Sequence, residues 1–172
     1  MILRALAVAA VTAVTAAIAA PTGAGTSSPA SGADAAPVYV APLPEPIDVI
    51  RRFDPPSTEF GPGHLGVDLR ATPAGIVHAA APGVVDFAGQ VAGRGVVVIG
   101  HPDGIRTEYE PVRPLVRVGA HLRAGEPIGV LRGRHRGCPG TCLHWGARRG
   151  DSYLDPLSLL RPLGPVVLLP NR

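Results

Sequence analysis

Glycine and proline restrict how this chain can fold more than any other feature of its sequence. Glycine accounts for 22 and proline for 20 of the 172 residues. Inside a helix these residues cost about 1 and 3 kcal/mol each, so a bundle of long helices and a coiled coil are excluded. Short strands joined by turns accommodate both residues, and the length suits one folded domain. The composition therefore predicts an all-β fold.

The charge pattern gives no reason to expect a nucleic-acid partner. All 16 basic residues are arginine and the net charge is +3. The arginines are scattered and lack interleaved aromatic residues, which a nucleic-acid-binding surface would place among them.

The N-terminus has the pattern of an export signal. Arg4 precedes an apolar, alanine-rich run over residues 5–20, and Ala17–Ala19 is similar to a signal-peptidase cleavage site. The run is shorter than the roughly 20 apolar residues that a membrane span needs, although a retained anchor is the alternative. We expect residues 1–20 to be a signal peptide, residues 21–46 a proline- and alanine-rich linker, and residues 47–172 a folded domain. After cleavage, no stable transmembrane span would remain.

Short β-prone runs separated by turn residues fill the predicted domain. The clearest runs are residues 76–81, 84–88, 96–100, 105–109, 128–131 and 143–147. Asp103-Gly104 lies between two of them and predicts a hairpin. Asp155-Pro156 predicts one short C-terminal helix with proline in its first turn, and residues 166–169 predict an edge strand.

Two histidines and an aspartate have the chemistry of an open zinc site. His64 and Asp68 lie in one glycine-rich segment, and His144 lies far downstream. Histidine nitrogen and carboxylate oxygen are ordinary zinc ligands. Structural sites close with four protein ligands, whereas catalytic sites use three and keep a position for water. From the residues alone, a polar loop in which His64 simply hydrogen-bonds Asp68 is the alternative.

These candidates lie within a longer, ordered series of motifs. Residues 63–69 read GHLGVDL, residues 72–85 read TPAGIVHAAAPGVV, residues 118–129 end in AGEPIG, and residues 142–145 read CLHW. In this order they resemble the lysostaphin-type (LytM-like) peptidoglycan metalloendopeptidases, metallopeptidase family twenty-three. The resemblance covers roughly residues 54–160.

The resemblance implies a fold, a site and a substrate. It implies an antiparallel β-sheet core with a groove formed by loops, and zinc held by His64, Asp68 and His144. It implies hydrolysis of peptide bonds in the stem or cross-bridge peptides of peptidoglycan. The protein would then be a secreted, cell-wall-associated monomer.

Two positions depart from the family pattern. The family has two further histidines beside the metal, which act on the water or the oxyanion, and here Cys142 and Pro111 stand in their places. General acid–base help is worth about 10²–10⁴ in rate, so activity could be weak or lost. Two functions stay open: a zinc endopeptidase, and a non-catalytic domain that binds peptidoglycan or regulates a hydrolase around a structural zinc.

Tyr109 and His135 are the weak candidates for replacing these histidines. Strand alternation predicts that Tyr109 shares a face with Pro111 and that Glu110 lies on the other face, so Tyr109 would offer its hydroxyl to an oxyanion. His135 lies in an arginine-rich loop just before Cys142 and would have to turn toward the site. An ordinary strand tyrosine and a solvated basic loop are the alternatives.

The two cysteines, Cys138 and Cys142, enclose three residues beside His144. In an exported protein two cysteines usually pair, which predicts a disulfide. The alternative is a Cys142 thiolate that closes the zinc site as a fourth ligand, because residues two apart on a strand share a face.

Overall fold

The computed structural model describes residues 37–58 and 61–160. The predicted signal peptide, the first part of the predicted linker and the predicted strand at 166–169 lie outside the described residues. Within the described ranges, no helix combines the length and the apolar character that crossing a membrane requires.

The described chain is built from short strands. They are β1 (Val49–Arg51), β2 (Gly66–Arg70), β3 (Ile76–His78), β4 (Gly83–Val91), β5 (Arg94–Gly100), β6 (Ile105–Glu110), β7 (Val112–Pro114), β8 (His121–Leu122), β9 (Pro127–Leu131), β10 (Cys142–Arg149) and β11 (Ser152–Leu154). A 3₁₀ helix follows at Pro156–Leu159. Asp155 caps it, because its side chain accepts a hydrogen bond of 3.0 Å from the Leu157 amide.

The strands form two antiparallel sheets, which confirms the predicted all-β fold. The larger sheet has the order β1-β2-β10-β6-β5-β4-β8, with β11 also paired to β10. The smaller sheet has the order β3-β9-β7. The predicted hairpin is present between β5 and β6, and Gly104 adopts a φ of +80° at its turn, where a side chain would be strained. β2, β10 and β6 therefore lie side by side in the middle of the larger sheet.

Alternation along β2 and β10 sends apolar side chains to one face and polar side chains to the other. Val67 and Leu69 are fully buried on either side of Asp68, and Leu143 and Trp145 are fully buried on either side of His144. Full burial of such a side chain contributes about 1.5–3 kcal/mol. The core thus fixes the register of both strands, and the register fixes which residues appear on the opposite face.

The packed part of the chain begins before the boundary that we expected at residue 47. Tyr39 is 5% and Leu43 7% exposed, so both belong to the core. The Val40 amide donates to the Ala80 carbonyl over 2.7 Å. Two large side chains within the proline-rich stretch are enough to hold residues 37–46 on the domain, whereas we had expected a linker there.

Candidate metal centre

Three polar residues form one row across the middle of the larger sheet. In the register of β2 and β10, His144 lies opposite Asp68. In the register of β10 and β6, His144 lies opposite Glu110. Directly opposed residues on neighbouring strands project from the same face. Strand pairing alone therefore brings two carboxylates to either side of one imidazole.

His64 joins this row from the segment that precedes β2. An isolated bridge pairs His64 with Asp54, and the His64 amide donates to the Asp54 carbonyl over 2.6 Å. Its ring Nδ1–H donates to the Arg52 carbonyl over 2.8 Å, which leaves Nε2 as a free acceptor. Burial lowers the pKa of His64, and the hydrogen bond to Arg52 opposes this only in part. The ring is thus held neutral, in the form that binds a metal.

The donor atoms of His64, Asp68 and His144 converge. His64 Nε2 lies 3.1 Å from Asp68 Oδ1 and 3.1 Å from His144 Nδ1. His144 Nδ1 lies 3.0 Å from Asp68 Oδ1. Asp68 is fully buried, and its Oδ2 has no hydrogen-bond partner within the described residues. Two imidazole nitrogens and a carboxylate oxygen at this spacing fit one divalent cation of the zinc type.

The absence of a side chain at Gly66 makes room for this arrangement. A Cβ on Gly66 would lie 2.5 Å from the Trp145 carbonyl oxygen, 2.7 Å from His144 Nε2 and 2.8 Å from His144 Cε1. Any larger residue would therefore push the imidazole away from Asp68.

The electrostatics keep Asp68 ionised. Burial by itself raises the pKa of Asp68, but hydrogen bonding to His135 and His144 more than offsets burial and holds the pKa well below its usual range. A buried carboxylate that stays charged among imidazoles is the anionic ligand that a cation site needs.

His135 also lies at this site. Its ring stacks on that of His144, with centroids 4.6 Å apart and planes inclined by 19°. His135 Nδ1 lies 3.2 Å from Asp68 Oδ1, and Nε2 lies 3.5 Å from Glu110 Oε1. Asp68 and then Glu110 raise the pKa of His135 to about 9. The side chain is 11% exposed, unlike that of a solvated loop.

Tyr109 does not reach the site. Its side chain is fully buried in the core, where its hydroxyl accepts a hydrogen bond of 2.9 Å from the Ala80 amide and lies 2.8 Å from Thr107 Oγ1. The expectation that its hydroxyl serves an oxyanion was therefore wrong. Pro111 is buried as well, so the error was to take its position as facing the site: in the register of β6 and β10, Glu110 is the residue opposite His144.

Glu110 also lies at the site, although strand alternation predicted that it lies on the opposite face of β6. It faces His135, and its Oε2 accepts a hydrogen bond of 3.2 Å from Arg94 Nε. The hydrogen bond to His135 is the main cause that lowers the pKa of Glu110. No sequence signal places it, because the register that sets Glu110 opposite His144 exists only in the folded sheet.

A disulfide joins Cys138 to Cys142, as predicted, with Cα atoms 6.2 Å apart. Cys142 therefore offers no thiolate to a metal, and the alternative of a fourth cysteine ligand is wrong. The bond ties the His135 loop to the first residue of β10, two positions before His144.

The fold and the donor set define a metallopeptidase-like protein. Residues 62–156 match the sequence profile of Peptidase family M23, so the chain belongs to this family, whose members are zinc metallopeptidases. The predicted resemblance is thus confirmed.

Two curated relatives show how far the similarity extends. Rv2891 of Mycobacterium tuberculosis (strain ATCC 25618 / H37Rv) is 48% identical over 134 residues, which cover 75% of this chain and 53% of that protein. The DD-carboxypeptidase/endopeptidase Mpg of Neisseria meningitidis serogroup B (strain MC58) is 33% identical over 100 residues, 58% of this chain and 23% of Mpg. The chain thus spans about half the length of Rv2891 and less of Mpg.

A solved structure shares the fold. Helicobacter pylori Csd3, in its orthorhombic crystal, superposes with a TM-score of 0.58 at 26% identity. The match covers 73% of this chain and 35% of Csd3.

Proposed function

We propose that this protein is an exported zinc metalloendopeptidase that hydrolyses peptide bonds in the stem or cross-bridge peptides of peptidoglycan. The observation that carries the proposal is the convergence of His64 Nε2, Asp68 Oδ1 and His144 Nδ1 within 4.8 Å of one another. Three ligands from the protein leave the metal a position for substrate or water, as catalytic zinc sites do.

The residues around the ligands have separable tasks. Zinc bound there would polarise the scissile carbonyl and make a water nucleophilic near neutral pH. The Arg52 carbonyl fixes the tautomer and the orientation of the His64 ring. The paired strands β2 and β10 hold Asp68 and His144 at a fixed separation, so little rearrangement is needed on metal binding.

Substrate and location rest on family and chemistry. The relative Mpg is described as a DD-carboxypeptidase/endopeptidase, which supports a peptide substrate. The predicted signal peptide and the Cys138–Cys142 disulfide both suit an extracytoplasmic protein at the cell wall. We propose that it acts there as a monomer.

A second candidate function rests on Pro111 and Cys142, which occupy the positions where the family pattern has its two auxiliary histidines. A domain without those groups could bind wall peptides or regulate a hydrolase while keeping zinc as a structural ion. In that case zinc would bind but no bond would be cleaved.

Digestion of purified peptidoglycan tests both candidates. The purified chain is incubated with zinc, with zinc plus chelator, and as the His64→Ala variant, and new amino termini are counted. His121→Ala is the matched control, because His121 is exposed on β8 at the far edge of the sheet. Amino termini that appear only with zinc and an intact His64 support the enzyme. One zinc per chain without new amino termini supports the binding domain.

A further inference from the structure

The loop between β9 and β10 adds an imidazole beside the ligand set. His135 stacks on His144 and approaches Asp68 to 3.2 Å, but it does not belong to the three donors that lie within 4.8 Å of one another. The centroids of His64 and His135 are 6.3 Å apart, whereas those of His64 and His144 are 4.9 Å apart. The ring thus lies beside His144 and Asp68, farther from His64 than His144 does.

Glu110 sets the orientation of this ring. Its Oε1 lies 3.5 Å from His135 Nε2, and Arg94 holds its other oxygen. Catalytic hydrogen bonds are often this long before substrate binds. A carboxylate at a ring nitrogen favours the proton on that nitrogen, and here a carboxylate faces each of the two, Asp68 at Nδ1 and Glu110 at Nε2. Nδ1, which is turned toward Asp68, is therefore a hydrogen-bond donor that an oxygen bound at the site can share with Asp68.

The loop is restrained in the conformation that presents His135. The disulfide ties Cys138 to Cys142 on β10, and the Cys138 amide donates to the His135 carbonyl over 3.3 Å. Gly133 and Gly137 adopt φ angles of +113° and +84° on either side, which gives the loop turns that other residues rarely make. A residue delivered by such a loop is placed by the fold rather than by chance contact.

We propose that His135 is a catalytic residue of this site, whose Nδ1–H donates a hydrogen bond to the oxyanion that forms when water attacks the scissile carbonyl, with Glu110 as its positioning residue. The reaction itself rests on the proposed function. The contact of His135 with an oxygen ligand bound at the site does not, because a bound inhibitor can report it without hydrolysis.

Steady-state kinetics with zinc titration is the first test. His135→Ala should lower kcat by about 10²–10³-fold, the loss typical of one oxyanion donor. Its KM and zinc affinity should stay within a few-fold of the starting protein, with one zinc per chain. His135→Asn keeps a polar atom near the position of Nδ1 and should recover part of kcat. His121→Ala is the surface control. A loss of zinc affinity of 100-fold or more in His135→Ala would make His135 a ligand and overturn the proposal.

Acetohydroxamate binding to the cobalt-substituted protein, followed by visible absorption, is the second test. Loss of one hydrogen bond should weaken binding to His135→Ala by about tenfold, without changing the spectrum of the inhibitor-free protein. If His135→Ala weakens acetohydroxamate binding but the starting protein cleaves no peptidoglycan, the contact with His135 stands and the proposed function is rejected. If neither the rate of cleavage nor the affinity for acetohydroxamate changes in His135→Ala, the proposed function stands and this inference is rejected.

Discussion

Asp68 and His144 are direct cross-strand partners, and their side chains meet 3.0 Å apart on the face of the sheet that is turned away from the core. Their separation is set by backbone pairing between β2 and β10, which buried apolar neighbours on both strands hold in register. A one-residue slip of either strand would turn one of the two side chains into the core. The candidate metal centre is thus as firmly placed as the sheet itself.

Replacing Gly66 with alanine should weaken zinc binding by about 10–100-fold, the range typical of residues that orient a ligand. The added Cβ would lie 2.5 Å from the Trp145 carbonyl oxygen and 2.7 Å from His144 Nε2, so the β10 backbone and the ring must both move. Competition with a chromogenic chelator measures the affinity. Gly146→Ala is the matched control, because Gly146 pairs with Gly66 and a Cβ there meets nothing nearer than 3.5 Å. Equal zinc affinities in the two variants would contradict the crowding argument.

Replacing Tyr109 with phenylalanine should lower the free energy of unfolding by about 1–3 kcal/mol and leave kcat unchanged. The change removes the acceptor of the buried Ala80 amide and a partner of Thr107. Urea unfolding and steady-state kinetics on the same preparation separate the two effects. If kcat falls while the free energy of unfolding is unchanged, Tyr109 would have a catalytic role after all.

Replacing both Cys138 and Cys142 with serine should cost about 2 kcal/mol of stability on the chain-entropy model, because the closed loop is short. Zinc content should remain one per chain, since none of the three ligands lies in the loop. The change should lower kcat more than it lowers stability or zinc content, because the loop would no longer hold His135 at the site. In a His135→Ala background the same double change should add little, because coupled residues are not additive. A full additional loss of kcat there would show that the disulfide acts through another residue.

Stability should fall as the pH is lowered below about 6.5, in part through His101. This ring is 6% exposed, with Nδ1 2.8 Å from the Pro82 carbonyl and Nε2 2.8 Å from Thr107 Oγ1. Burial lowers the pKa of His101, and Pro82, Asp103 and Asp86 oppose this only in part. Between the unfolded and folded pKa values the unfolded chain binds the extra proton, so acid favours unfolding, by at most about 1.4 kcal/mol per pH unit.

The measurement is the free energy of unfolding in urea at several pH values between 7 and 5. His101→Gln should flatten the pH slope relative to the starting protein, and exposed His121→Gln should leave it as it was. Parallel slopes for all three proteins would show that His101 does not contribute.

The sequence sufficed to predict the class of fold, the hairpin at Asp103-Gly104 and the family, because turn chemistry and motif order are local features. It could not place Glu110 and Tyr109, because their faces depend on the register of β6 against β10, which exists only in the folded sheet. Likewise, only the packed structure shows that the arginine-rich loop turns His135 inward, since its contacts with Asp68 and Glu110 join distant parts of the chain. The packing of Tyr39 and Leu43 was not predicted, because the proline-rich composition around them is typical of a linker. These two side chains are nevertheless large enough to hold the segment on the domain.

The Cys138–Cys142 disulfide has a consequence for when the site is completed. Thiols stay reduced in the cytosol and pair once a chain has been exported. With the export that we propose, the three ligands would be aligned before the disulfide forms, and the disulfide would hold the His135 loop in place only outside the cytosol. Oxidation of the two thiols would then be the final stage of its assembly.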